Sequence, residues 1–264
     1  MASRGNFVFG IRAFDSSILV ESADSEIRDA LDRYIFPPLP RSEPAPSSPD
    51  IHLFVDREED RFRVEVDQKF AVSAVTLHDA SLGAVKALDD VVVHRMKMYR
   101  AIHAGAVLIE GRALLVPGSS HAGKSSLVAE LLRRGASHFS DEYALIDGQG
   151  RIHSYPRPLL LRKGGLLQTL VLPEELDSRF ATNPAPVGWI LALDYSPGAT
   201  WDVQEMSQGE AVMLLLRNTP HEIAKSPEMI DFFLRVADKA VCFAGARGDA
   251  AEAATQVFDL ISHK

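Results

Sequence analysis

An α/β fold, with a smaller α+β lobe ahead of the main core, is predicted by three features of the 264-residue chain. After about residue 100 the apolar patterns run strand, loop, helix, strand, the order that builds a sheet with helices packed on it. A glycine-bearing segment, Gly118 to Ser125, lies between the first such strand and helix. Before residue 80, short alternating runs surround one amphipathic helix and a proline-rich stretch. The chain is therefore divided into an N-terminal lobe over 1–80, with a linker over 37–50 inside it, and a core over 81–264.

Within the lobe, Phe7, Phe9 and Ile11 alternate as a strand does, and Ile18 and Val20 follow after a polar turn. Asp24 suits a helix N-cap, and Ile27, Ala30, Leu31 and Tyr34 make an i, i+3, i+4, i+7 stripe. Pro37 to Asp50 holds six prolines and three serines, which remove backbone donors and favour an extended linker or loop. Strands are expected at Ile51 to Val55, Arg61 to Val66 and Phe70 to Leu77. A longer helix follows, capped by Ser81 and carrying Leu82, Val85, Leu88, Val92, Met96 and Tyr99 at helical spacing.

Composition bounds what this architecture can do. At 46% hydrophobic and 24% charged residues, the chain can bury a core without staples. Its single cysteine, Cys242, cannot form an internal disulfide and reads as a small buried hydrophobe. A net charge of -8 speaks against nucleic acid as the partner. The opening residues lack an apolar targeting stretch, and the longest aliphatic run, Ala211 to Leu216, is far shorter than a bilayer span. A cytoplasmic protein without a membrane partner is expected.

In the core, Ala106 to Ile109 and Ala113 to Val116 are apolar runs joined by Glu110, Gly111 and Arg112, a hairpin pattern. The next eight residues fit G-x-x-x-x-G-K-[ST] at every fixed position: Gly118, Ser119, Ser120, His121, Ala122, Gly123, Lys124 and Ser125, with Ser126 behind them. Glycines let successive backbone N–H groups turn inward around an anion, and a helix N-terminus adds partial positive charge. Lys124 would reach the outer phosphates of a nucleotide, and the Ser125 hydroxyl would take one place on Mg2+. Leu127, Val128, Leu131 and Leu132 form the buried face of the helix that Gly135 ends. His121 either sits near the phosphates or faces solvent.

Phosphoryl transfer also needs carboxylates. One candidate is the Phe139-Ser140-Asp141-Glu142 step ahead of an apolar run from Tyr143 to Ile146. The other is Trp189 to Asp194, an apolar strand ending in an acid. Pattern alone favours Asp194, which has the look of a Walker B aspartate.

The stretch from Ile102-His103-Ala104-Gly105-Ala106 through the hairpin and glycine segment to Asp141-Glu142-Tyr143 resembles the nucleotide-binding core of HPr kinase/phosphorylase and its HPr-kinase-related serine kinases. Ser140-Asp141-Glu142 and Tyr155-Pro156-Arg157-Pro158-Leu159-Leu160-Leu161-Arg162 look like the related-kinase branch, and the likeness spans roughly residues 101 to 165. It implies a P-loop kinase core of the phosphoenolpyruvate-carboxykinase-like type and favours Asp141 over Asp194. Asp141 would accept the proton or share that role with Mg2+ binding. Glu142, a further catalytic candidate, stands where the family often has a second aspartate, and His103 would lie beside Asp141 and the transferred phosphate, orienting or electrostatically tuning them. His121 stands where the family has a glycine, and no Glu-x-Arg-Gly type signature follows the acidic pair. Phosphorylase activity, and HPr itself as substrate, therefore fall outside what the resemblance implies.

Four basic residues, Arg151, Arg157, Arg162 and Lys163, fall between residues 151 and 165 with no acid among them. Arg157 and Arg162 are candidates for a phosphate or substrate clamp, against a solvated basic edge. Helices are expected around Ala211 to Leu216, Met229 to Val236 and Ala250 to Ile261, with a strand from Ala240 to Phe243. The combined expectation is an ATP- and Mg2+-dependent kinase acting on a hydroxyl, with a serine of a protein or peptide as acceptor. A nucleotide-gated peptide-binding module and a kinase of a small hydroxylated metabolite are the alternatives, and a homo-oligomer is left open.

Overall fold

A computed structural model describes residues 7–35, 39, 41–42, 44–118, 122–162, 168–220 and 227–262. It shows a mixed α/β protein made of two compact units, Met1–Met98 and Tyr99–Lys264. Among the described residues no helix is long and apolar enough to cross a membrane.

The first unit contains β1 (Phe7–Ala13), β2 (Ser16–Ser22), α1 (Ser25–Ile35), β3 (Arg41–Ser42), β4 (Ile51–Glu58), β5 (Arg61–Val66), β6 (Lys69–Ala74) and α2 (Leu77–Arg95). Its sheet runs β3-β1-β2-β4-β5-β6, and only the β2–β4 pair is parallel. Asp24 caps α1 by accepting from the Glu26 and Ile27 N–H groups, and Ile27, Leu31 and Ile35 are its buried face. Within the proline-rich stretch, Arg41–Ser42 pairs with β1, while residues 37, 38, 40 and 43 lie outside the described residues.

The division between units falls at 98/99 instead of 80/81, because α2 packs on α1 and on β4, β5 and β6. It starts earlier than expected, at a better cap. Thr76 Oγ1 accepts the Asp79 N–H at 3.1 Å, so the third strand stops at Ala74. Ser81 is buried inside the helix, where its hydroxyl donates to the Leu77 carbonyl at 2.8 Å. Met96 is the C-cap residue, and Tyr99 lies beyond the helix.

The second unit opens with the hairpin of β7 (Arg100–Ile109) and β8 (Arg112–Pro117), then α3 (Lys124–Arg133), β9 (Ser137–Ser140), β10 (Tyr143–Ile146) and β11 (Arg151–His153). A two-stranded ribbon follows, β12 (Leu159–Arg162) with β13 (Gln168–Val171), and then a 3-10 turn, Pro173–Leu176. The chain closes with β14 (Ala185–Tyr195), β15 (Asp202–Glu205), α4 (Gln208–Arg217), α5 (Pro227–Ala237), β16 (Val241–Arg247) and α6 (Ala250–Ser262). The main sheet runs β11-β10-β7-β8-β14-β16-β15, with β9 also on β7. Its centre, β8-β14-β16, is parallel.

Both faces of that centre are apolar, as buried parallel strands require. Leu115, Ile190 and Phe139 pack with Leu215 of α4 and Phe233 of α5. Leu114, Val116 and Leu191 pack with Leu127 and Leu131 of α3 and Val257 of α6. The expected hairpin turns on Glu110 and Gly111, both at positive φ (49° and 78°), the backbone twist that two-residue hairpins use. Gly135, at φ 98°, ends α3 as expected. Cys242 lies buried in β16, and burial pushes its thiol up to about 11, which leaves it an apolar group.

Candidate functional site

The strand β7 sets the site's geometry because it is paired on both edges. On one edge Gly105 faces Val116 and Ala104 faces Pro117, where β8 leaves for the glycine loop. On the other edge Ala106 faces Ser140 and His103 faces Tyr143. The two residues between β9 and β10, Asp141 and Glu142, therefore stand across β7 from the start of the loop. The Ala104 N–H donates to the Glu142 carbonyl at 3.2 Å and holds that break in place.

Of the loop itself, Gly118, Ala122 and Gly123 are described, whereas Ser119, Ser120 and His121 lie outside the described residues. Gly123 takes a left-handed conformation, φ 73° and ψ 17°, as the N-cap of α3, a conformation that glycine adopts without steric strain. Lys124, Ser125 and Ser126 form the first turn of the helix, and Lys124 is buried. Burial pulls the Lys124 ammonium below its ordinary range, and the charges of Glu142 and Asp141 act against that shift.

Asp141 is 2% exposed. Burial pushes its carboxyl up to about 6, while the neighbouring Ser125 hydroxyl and Leu160 N–H draw it down; Glu142 adds to the rise and Lys124 opposes it. Oδ2 accepts from the Leu160 N–H at 3.3 Å. Oδ1 is buried and lacks a well-formed hydrogen bond among the described residues, which leaves an acceptor to offer a ligand. Lys124, Ser125, Asp141 and Glu142 are thus gathered at one place.

His103 makes its contact with Glu142, its Nε2 lying 3.1 Å from Oε1, and its ring is 6.0 Å from that of Tyr143. The expectation put it beside Asp141. The pairing with Glu142 arises because β10 sets His103 opposite Tyr143, one residue past Glu142. Asp194 ends the buried part of β14 in an exposed position.

The basic run is not gathered as a fork. Arg151 pairs with Asp147, which also binds His153 at 2.8 Å. Burial works to raise the Asp147 carboxyl, but hydrogen bonds from Arg151, His153 and Gln149 outweigh it and hold it at about 2. Arg157 is buried, donates to the Tyr155 hydroxyl at 3.1 Å and to the Pro156 carbonyl at 3.4 Å, and covers the Tyr155 ring at 4.5 Å. Arg162 is exposed at the end of β12, and Lys163 lies outside the described residues.

A cation from outside the glycine motif lies against the loop. Arg247, the last residue of β16 and 2% exposed, donates from Nη2 to the Gly123 carbonyl at 2.8 Å. A Cβ on Gly123 would overlap that guanidinium. The signal available in the sequence was an arginine ending an apolar run just before a helix.

Gly105 is the other tight contact. A Cβ there would lie 2.6 Å from Val128 Cγ2 on α3. Gly105→Ala should therefore force α3 off β7 and destabilise the protein by about 1–3 kcal/mol. Chemical denaturation beside the parent checks this, and an unchanged midpoint would show that Val128 can give way.

No family model matches the sequence, and no curated protein matches it. Among solved structures the chain is similar to the Hpr(Ser) kinase/phosphatase from Coxiella burnetii, at 15% identity and a TM-score of 0.32, over 62% of this chain and 99% of that chain. At that TM-score the likeness does not establish a shared fold.

Proposed function

We propose that this protein is an ATP-dependent kinase that transfers the γ-phosphoryl group to a hydroxyl, with a serine of a protein or peptide as the acceptor. The observation that carries this reading is Asp141: a buried carboxyl, held up to about 6, with one unsatisfied oxygen beside Lys124 and Ser125. A group poised near neutral pH is suited to accept a proton from an attacking hydroxyl. The loop of residues 118–125 serves as the phosphate cradle, with Lys124 on the outer phosphates. The choice of serine rests on the sequence resemblance over residues 101 to 165.

Mg2+ fits the residues present. Among the described residues no three His, Cys, Asp or Glu side chains converge as a closed metal cage. Mg2+ that arrives with a nucleotide takes only one or two protein oxygens and fills its shell with phosphate and water. The Ser125 hydroxyl would supply one of those oxygens, and Oδ1 of Asp141 would supply a second in place of its role as proton acceptor, since a bound cation draws a carboxyl down. When bound, the ion would neutralise charge on the transferred phosphate. Glu142, paired with His103, stays close enough to act on the charge of both Lys124 and Asp141.

The test is incubation with γ-labelled ATP and Mg2+ in the presence of cell-extract peptides, with ATP affinity measured in parallel. Label in the peptide fraction supports the proposal, and label in the low-mass fraction makes the acceptor a small metabolite. Tight ATP binding with no label transferred would make the protein a nucleotide-gated binding module. Lys124→Ala should weaken ATP binding about tenfold or more, as loss of a charged phosphate contact does. If the parent binds no ATP, the reading fails altogether.

A further inference from the structure

The second unit buries a full positive charge that the reading above does not use. Arg247 sits at the C-terminal end of the central parallel strands, opposite Tyr195 of β14. Its Nη1 donates to the Gly248 carbonyl at 2.9 Å and its Nη2 to the Gly123 carbonyl at 2.8 Å. The guanidinium covers the Tyr195 ring at 5.0 Å, and Nε is buried with no partner among the described residues. Both direct acceptors are neutral carbonyls. Burial lowers the arginine below its ordinary range, with only Tyr195 and Asp249 acting the other way. A charge buried in this way is costly unless an anion balances it.

Gly123 explains where that anion belongs. Its carbonyl accepts from the Leu127 N–H at 3.1 Å as well as from Arg247. A trans peptide points its N–H opposite to its C=O, so pinning the Gly123 carbonyl turns the Lys124 N–H toward the loop. We propose that Arg247 is a positioning residue of the phosphate loop: it fixes the Gly123–Lys124 peptide with its N–H aimed at a bound polyphosphate, whose negative charge in turn balances the guanidinium. This rests on the phosphate-loop reading and deepens it, because it places a second cation below the loop beside Lys124.

The test separates charge from hydrogen bonding in the full chain. Arg247→Lys keeps the charge and one donor, whereas Arg247→Gln keeps a donor to Gly123 and loses the charge. Affinity is read with ATP and with inorganic tripolyphosphate, which lacks the nucleoside. Arg247→Gln should weaken both by about tenfold, and Arg247→Lys should stay within about threefold of the parent. Without ligand, Arg247→Gln should unfold at no lower temperature than the parent, yet saturating ATP should stabilise it less. Equal affinities for the two variants would show that the guanidinium charge plays no part in binding and overturn the proposal, as would failure of both to fold. Lys124→Ala serves as the control. A parent that binds neither probe sinks the phosphate-loop reading itself. Binding that is lost in Lys124→Ala but untouched in Arg247→Gln sinks only the role given to Arg247.

Discussion

Asp141→Asn is expected to reduce phosphoryl transfer by about a thousandfold or more and, at pH 7, to make the protein more stable. The rate loss follows from the chemistry assigned to the carboxyl, since removing a positioned base alone removes about 10²–10⁴ in rate. The gain in stability follows from burial. A carboxyl moved from 3.8 to about 6 by folding opposes folding by about 3 kcal/mol once it is ionised. The amide removes that charge but leaves a polar group to satisfy, because Oδ1 has no well-formed partner while Oδ2 keeps the Leu160 N–H. That residual term is about 1 kcal/mol, so a net rise of about 2 kcal/mol remains, read by calorimetry beside a labelled-ATP assay. A more stable and inactive variant is the signature of a residue held under strain for function. A variant that is inactive and less stable would make Asp141 a structural acid. Full activity would move the role elsewhere, with Asp194 the first alternative.

The site was legible in the sequence where its chemistry is local. Gly118, Gly123, Lys124 and Ser125 are spaced by the needs of one turn and one helix start, so a short pattern carries them. Asp141 was harder to find, since an acid after a strand is common and the run from Trp189 to Asp194 fits the generic pattern better. What distinguishes the two in the structure is placement: Asp194 is exposed at the end of β14, and Asp141 is buried across β7 from the loop. That placement depends on β7 being paired on both edges, a long-range fact. Arg247 was illegible for the same reason. The strand that carries it continues through Ala244, Gly245 and Ala246, residues with little preference for strands, and the expected strand therefore ended at Phe243. Packing decides instead, because a Cβ on Gly245 would overlap the Asp202 carbonyl of β15. Helices α4, α5 and α6 were readable from their apolar spacing, whereas α2 began at Leu77, earlier than expected, because Thr76 caps it and Ser81 bonds back to Leu77 inside it.

Acidification from pH 7 to 5 should change the parent's stability by only about 1 kcal/mol through the two fully buried titrating groups, and should weaken Asp141→Asn by about 2 kcal/mol. The first of those groups is His138, whose Nε2–H donates to the Arg157 carbonyl at 3.1 Å while Nδ1 is buried with no partner among the described residues. Burial drives it from 6.5 to about 4, and the Arg157 carbonyl works weakly in the other direction. Below pH 6.5 the unfolded chain takes up a proton that the folded protein refuses until about pH 4, so stability is lost across that window. Asp141 does the reverse. Its folded carboxyl takes up a proton near pH 6 and the unfolded one only near 3.8, so stability is gained as pH falls between those values. At pH 5 the loss from His138 is about 2 kcal/mol and the gain from Asp141 is about 1 kcal/mol. The two nearly offset each other in the parent. Removing the carboxyl exposes the histidine loss, which should deepen to about 3 kcal/mol at pH 4. Every other titrating group, His138 included, is common to both proteins, so the difference between the two pH profiles isolates the Asp141 carboxyl. His138→Gln, which keeps a donor for the Arg157 carbonyl, should invert the parent's slope and gain stability from pH 7 to 5. Parallel profiles for the parent and Asp141→Asn would show that the Asp141 carboxyl is not held up by burial, and with that the argument for it as a base near neutral pH would fall.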